Sequence, residues 1–429
     1  MRKSLIVGLL VLSLGCFSLE KPGAALSAPP IVFDQSLIDR QNSLERIWKA
    51  VEENYYDPAF NGVDWKAVRE RYRPMLDSVK TDEEFYELME RMVGELHDSH
   101  THVLSPTQAA EFKQHQRMSL GFGPEIIDDQ LVVARVTAGS QAEQAGLEPG
   151  MIVRAVDGRP LQERVRELRA RYPNSSTPRA TRLLSYLRVF AGEPETAVKL
   201  GLERADGAPL HVTLTREVVP VAPELVAKRL PSGNGYIGFN IFYAPAARQF
   251  KDALDRLRDT PGLIIDLRKN PGGTTHELIE IASDFYTARA VFALDKVRTR
   301  EARPVYLLGR GAQAYSGPVV ILAGPETGSS SELFAAGMQD TGRAKVVGGQ
   351  TCGCVLGINT AVDLKDGGEV VISETLWFTP HGRKLEGEGV IPDRTVASTL
   401  GDLRRKRDPV LEEGERLLKE MAHTTAASK

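Results

Sequence analysis

Two stretches of the chain repeat one pattern, and that pattern leaves few folds open. Residues 262–267 are a short apolar run that ends in Asn270-Pro271-Gly272-Gly273 and passes into a helical periodicity over 276–286. Residues 319–323 do the same: an apolar run, a turn of small residues, then Leu333, Phe334 and Met338 at helical spacing as far as Asp340. A strand at 236–239 followed by a helix at 247–257, and a further strand at 345–348, extend the series. Strands alternating with helices predict a largely parallel sheet, with its chemistry outside the carboxyl ends of the strands.

The second of these turns carries three serines, Ser329, Ser330 and Ser331. A serine at a strand-to-helix junction sits in a sharp turn, beside backbone N–H groups that suit a developing oxyanion. The same string also makes a good helix cap with no chemistry attached. The rest of the chain has to decide between the two.

At 429 residues the chain exceeds one ordinary domain, and a formal net charge of −3 argues against a dedicated nucleic-acid binder. Arg2 and Lys3 precede an apolar run over 5–19 that is too short to span a membrane, and Gly23, Ala24, Ala25 and Ser27 follow. Residues 1–28 are therefore expected to be a signal peptide, which places the mature protein in the periplasm, the cell envelope or outside the cell. Cys16, preceded by Leu14-Gly15, offers a lipid anchor as the alternative, with Ser13 standing where such sites usually have leucine. Residues 34–110 read as a helical region, with one apolar stripe through Leu44, Ile47 and Val51 and another through Phe85, Met89 and Met92. It runs into His97-Asp98-Ser99-His100-Thr101-His102, where the pattern turns toward strand. Residues 116–218 change to short strands, 224–400 are the α/β part, and 401–429 hold a charged C-terminal helix expected to be a solvated surface element. Cys352 and Cys354 are separated by one glycine, and no disulfide is expected between them.

Within 116–218, Ser119, Leu120, Gly121 and Phe122 and the run SQAEQAGLEPGMIVRAVDG resemble a PDZ domain, with Met151 in place of a common aspartate. The resemblance implies a loop whose N–H groups take a peptide C-terminus while a strand edge pairs with the peptide. A PDZ-shaped spacer without a ligand is the plainer reading. The segment from about Gln162 to Ala191 is longer than the usual connection and rich in arginine.

Taken in order, DSHT, the PDZ-like run, DLRKNPGG, TGSSSE, GQTCG and LEGEGVIPD resemble the S41 family of serine peptidases, which includes the carboxy-terminal processing proteases and the tricorn core protease. The resemblance implies an α+β multidomain fold: a helical N-terminal region, a PDZ domain and a ClpP/crotonase-like α/β peptidase core. It puts the nucleophile at Ser329. The processing branch uses a lysine base 25 residues further on, where this chain has Cys354. The tricorn-like branch instead implies His100 as base, with its neighbour Ser99 and with Glu386 of LEGEGVIPD. The oxyanion would be held by the N–H of Ser330 and one from the Gly272-Gly273 turn. Asp98 reads as structural, and His381 and Glu388 are the lower-ranked substitutes for the histidine and the glutamate. His97, His100 and His102 alternate faces and lack a distant fourth ligand, so no metal is expected, and no cofactor. The expected function is an exported serine endopeptidase acting on protein or peptide substrates, which the PDZ domain would take by their C-termini; the alternative is a non-catalytic binding protein of the same fold, or a PDZ adaptor.

Overall fold

The computed structural model describes residues 37–172 and 175–427; the expected signal peptide and Cys16 lie outside them. The predicted parallel sheet is present. Its strands run in the order Leu225–Arg229, Gly235–Phe239, Leu263–Asp266, Val319–Ala323, Lys345–Gly348 and Arg394–Thr395, and all but the first pair in parallel. Every residue of Val319–Ala323 is buried, as a strand covered on both faces requires, which is why its sequence is continuously apolar rather than alternating.

One face is covered by the helices Ala246–Arg256, Thr275–Ser283 and Ser330–Asp340, which contribute Phe250, Leu254, Leu278 and Phe334 to the largest core. The other face is covered by the C-terminal helix Pro409–Ala427, whose Val410, Leu417 and Leu418 pack on Ile264, Val320, Leu322 and Val347. The expectation of a solvated element is thus corrected. Its charges line the outer side, but the apolar positions fall on one stripe, and without it the sheet would expose the back of its central strands. Leu418→Ala is expected to lower stability by about 2 kcal/mol, read as a shift in the urea midpoint.

A second, antiparallel sheet joins His102–Leu104 to Glu369–Phe378, then Ala290–Val297 and Arg300–Leu307, with Leu356–Asp363 also pairing with Glu369–Phe378. The N-terminal helices Leu37–Asn54, Trp65–Tyr72 and Asp82–Gly94 bury Leu44, Ile47, Phe85 and Met89 against Val370, Ile372 and Leu376 of this sheet. The helical region therefore shares a core with residues more than 250 positions away, and its last turn is aimed at the parallel sheet's carboxyl end.

The 116–220 segment builds a separate antiparallel sheet with Phe122–Ile127 at its edge, then Gln130–Val136, Ile152–Val156, Ala197–Glu203 and Pro209–Thr215. The helix Leu161–Arg171 packs Leu161 and Val165 into its core. Polar and apolar contacts tie this unit to the rest of the chain. Lys269 sits 2.8 Å from Glu125 and 2.6 Å from Glu326, and Leu400 and Leu403 of the short helix Leu400–Arg404 pack on Ile127, Val132 and Ile152.

Candidate active site

Ser329 stands where Val319–Ala323 has turned into Ser330–Asp340, with φ 50° and ψ −122°. For a residue with a Cβ this is strained backbone, costing on the order of 1–3 kcal/mol. The turn holds it by three hydrogen bonds. Ser329 N–H donates to the Cys354 carbonyl (2.9 Å) and faces Glu332 Oε2 (3.2 Å), while Gly328 N–H donates to the Asn270 carbonyl (3.3 Å). Such a turn lifts the hydroxyl away from its own helix, as a nucleophile needs.

His100 reaches that hydroxyl from the other side of the sequence: its Nε2 lies 3.3 Å from Ser329 Oγ, a loose contact of the kind that tightens with substrate. The turn that carries the ring is fixed from behind. Asp98 Oδ1 accepts the N–H of His100 (2.8 Å) and of Thr101 (2.7 Å), and Ser373 Oγ donates to it at 3.1 Å. Asp98 thus shapes the turn and does not touch the imidazole, as expected of a structural residue. His100 Nδ1 meets Ser99 Oγ at 2.8 Å. His102 turns away to Glu90 (2.8 Å) and the Ser99 carbonyl (3.0 Å). Burial pushes the His100 imidazole down to about 4, against the pull of Asp98 and with help from His102. It is neutral at pH 7, with a lone pair free for the Ser329 proton.

Glu386 is buried and its Oε2 accepts the Val355 N–H at 2.6 Å. Burial pushes its carboxyl up to about 8; hydrogen bonds from Ser176 and Val355 pull it down, and Asp98 and Glu332 add to the rise. Glu332, the last residue of TGSSSE, is fully buried beneath Ser329. It accepts the N–H of Gly353 (2.7 Å) and Cys354 (2.9 Å) and the Thr351 hydroxyl, so it ties residues 351–354 to the serine turn.

The oxyanion candidates are narrowed by the geometry. Gly272 N–H donates to Asn270 Oδ1 at 3.0 Å, which removes it as a donor and leaves Gly273 and the first helical N–H, Ser330. Gly272 has φ +117°, and a Cβ there would lie 2.7 Å from Ser329 Cβ and 3.0 Å from Ser330 N, so only glycine lets this turn close on Ser329. Asn270, fully buried, also accepts the Ser331 hydroxyl at 2.7 Å and locks the two turns together.

The position that the processing branch fills with lysine holds Cys354, and the structure joins it to Cys352 by a disulfide with Cα atoms 5.2 Å apart. This corrects the sequence expectation: Gly353, at φ +74°, turns the chain enough to bring the two Cα atoms into bridging range. A bridged sulfur offers no thiolate, so Cys354 cannot stand in for the lysine. Lys269 does not replace it either. Burial works to discharge its ammonium, but Glu326 and Glu125 outweigh that and hold it above its usual range. His381 is exposed and pairs with Asp340 at 3.1 Å, and Glu388 is exposed; neither joins the site.

Sequence reasoning missed Ser176, whose hydroxyl lies 2.9 Å from Ser99 Oγ and bonds Glu386. The unusual length of the connection around it was the available signal. Ser119, Leu120, Gly121 and Phe122 lie apart from these residues, at the start of the edge strand. There Gly121 N–H faces Ser119 Oγ (3.2 Å), Leu120 is buried, and Phe122 packs edge-on against Phe190.

The sequence model of Peptidase family S41 matches residues 233–396, and that of the Tricorn protease C1 domain matches residues 39–94. The chain is 30% identical over 378 residues to the Carboxyl-terminal-processing protease of Synechocystis sp., a match covering 84% of this chain and 82% of that one. It is 30% identical over 378 residues to Carboxyl-terminal-processing peptidase 2, chloroplastic, of Arabidopsis thaliana, covering 82% of this chain and 68% of that one. Among solved structures, mature CPAF superimposes with a TM-score of 0.68 at 14% identity, over 90% of this chain and 96% of that one. The tricorn protease does so with 0.52 at 20%, over 90% of this chain and 37% of that one. These two bear on the fold alone. Extended similarity to the Synechocystis protein, with a family match that contains Gly272, Gly273, Ser329 and Glu386, means that the chain belongs to peptidase family S41 and is a serine-type peptidase, a hydrolase that acts on proteins.

Proposed function

We infer that this peptidase is exported and cleaves protein substrates through an acyl-enzyme on Ser329, with His100 as general base. The observation that carries the reading is the alignment of Ser329 Oγ, His100 Nε2 and Nδ1, and Ser99 Oγ at 3.3 and 2.8 Å, in a site without a free lysine. In this mechanism His100 takes the Ser329 proton as Oγ bonds to the scissile carbonyl carbon, and the carbonyl oxygen becomes an oxyanion facing Ser330 and Gly273 N–H. The C–N bond then breaks as His100 returns the proton to the leaving amine, and water repeats the sequence to free Ser329.

Export rests on the Arg2-Lys3 and apolar 5–19 pattern and on the Cys352–Cys354 bridge, which suits an oxidising compartment. Among the described residues, no helix is long and apolar enough to cross a membrane. The 116–220 unit acts as a PDZ-like module that takes a substrate's C-terminus along its edge strand Phe122–Ile127, in keeping with relatives named for carboxyl-terminal processing.

A fluorophosphonate probe and an unfolded protein substrate test the reading together. Labelling is expected on the peptide that contains Ser329, by mass spectrometry, with parallel loss of hydrolysis. Hydrolysis that survives full labelling would assign another nucleophile. A protein that neither labels nor cleaves would be the binding protein of the alternative reading.

A further inference from the structure

The connection between Leu161–Arg171 and Ala197–Glu203 carries an extra helix, Pro178–Leu187, and the stretch that leads into it is fastened to the peptidase core rather than to its own unit. Thr177 Oγ1 donates to the Cys352 carbonyl at 2.7 Å and caps the helix by accepting the Ala180 N–H at 3.0 Å. Arg179 donates to the Thr351 carbonyl (3.2 Å) and the Glu388 carbonyl (2.8 Å). Ala180 is buried against Cys352 and Cys354. These contacts fix the residue just before them, Ser176, between two groups of the active site that do not otherwise meet: Ser99 Oγ on one side, 2.9 Å away, and the Glu386 carboxyl on the other.

We propose that Ser176 is a positioning residue that links Ser99 to Glu386, so that the catalytic chain runs Ser329–His100–Ser99–Ser176–Glu386 and is completed by a segment inserted in the PDZ-like unit. The proposal rests on the Ser329–His100 reading above. The polarity of the chain follows from its two ends. Nε2 must be unprotonated to accept from Ser329, so Nδ1 carries the imidazole hydrogen and donates to Ser99. An ionised Glu386 can only accept. In the resting geometry Ser176 donates to Ser99 at 2.9 Å; the relay therefore needs the two hydroxyls to rotate, so that Ser99 donates to Ser176 and Ser176 donates to Glu386. Each rotates freely enough to do so, and each accepts one bond and gives one. When His100 becomes an imidazolium, the carboxylate at the far end stabilises the charge through this row of oriented dipoles. A neutral imidazole held as low as about 4 is a weak base without such support.

The pH profile reads the link. Glu386 faces Asp98 and Glu332, both of which oppose its ionisation, and the phenols of Tyr55 and Tyr56 lie in its field; among the described residues Ser176 and Val355 N–H donate to it. Its ionised form is the one the relay uses, so kcat/KM is expected to rise as pH rises through about 8 and to fall below it.

The experiment compares wild type with Ser176→Thr, Ser176→Val and His100→Ala, on an unfolded protein substrate between pH 5.5 and 9.5. Threonine and valine have the same shape, and only threonine keeps the hydroxyl. Ser176→Val is expected to lose on the order of 10²-fold in kcat with KM nearly constant, and to lose the rise near pH 8. Ser176→Thr is expected to recover both. A valine variant with the wild-type rate and profile overturns the proposal, and so does a loss that threonine shares equally, since that would be packing alone. His100→Ala separates the two levels. If it stays active, the Ser–His reading fails and the relay with it; if it is dead while Ser176→Val behaves as wild type, only the relay fails.

Discussion

Ser329→Ala and His100→Ala are each expected to lower kcat/KM by about 10⁴-fold or more on an unfolded protein, and the double variant to lose little beyond either one. The non-additivity is the informative part. In the proposed mechanism nucleophile and base act as one unit, so removing the second partner costs nothing once the first is gone, whereas two independent contributors would multiply. Cys354→Ala is the contrasting variant and is expected to keep most of the rate. Position 354 supplies its carbonyl to Ser329 N–H and its N–H to Glu332, and neither main-chain group is removed by the substitution. If Cys354→Ala were dead and His100→Ala active, the sulfur would have a role that no contact in the site explains. If His100→Ala alone stayed active, Ser329 would have another base.

The parallel sheet, the nucleophile turn and the glycine turn were legible in the sequence because each is local. A buried parallel strand must be continuously apolar, and a turn that closes on a serine must be glycine. The pairing of His100 with Ser329 was reachable only through resemblance, since 229 positions separate them and nothing in the residues between says that they meet. The antiparallel strands Ala290–Val297 and Arg300–Leu307 escaped notice because their arginines, lysine and aspartate break the alternation, and Arg300 pairs across them with Asp295. The C-terminal helix was read as solvated because its many charges hide a stripe of only a few apolar positions. Ser176 was invisible for a different reason. A serine before Thr177-Pro178 looks like helix-capping chemistry, and only the docking of that cap on the Cys352 carbonyl brings it to Glu386.

Glu332→Ala is expected to cost about 4 kcal/mol in urea unfolding together with nearly all activity. The substitution strips the acceptor from the Gly353 and Cys354 N–H groups and the Thr351 hydroxyl, leaves Ser329 N–H with the Cys354 carbonyl alone, and opens a cavity under the nucleophile. Glu332→Gln should fall between, since an amide keeps one acceptor oxygen but must aim its NH₂ at a donor. The same residue sets a pH signature. Burial pushes its carboxyl up from the ordinary 4.5 to about 7, against the pull of those hydrogen bonds, and Glu386 moves in the same direction to about 8. A carboxyl whose folded pKa is raised contributes stability that is full below its unfolded pKa and lost as pH rises through the folded one. His100, depressed to about 4, acts with the opposite sign, but only below 6.5. Between pH 6.5 and 8.5 the two carboxyls therefore stand clear of it, His102, which Glu90 holds above its usual range against its burial, acts in their direction, and Tm is expected to fall across that window. Glu332→Gln, which removes one of the two ionisations, should make the fall shallower. A wild-type Tm that stays level from pH 6.5 to 8.5 would mean that both carboxyls are already ionised in the folded protein, and that the donors around Glu332 outweigh its burial.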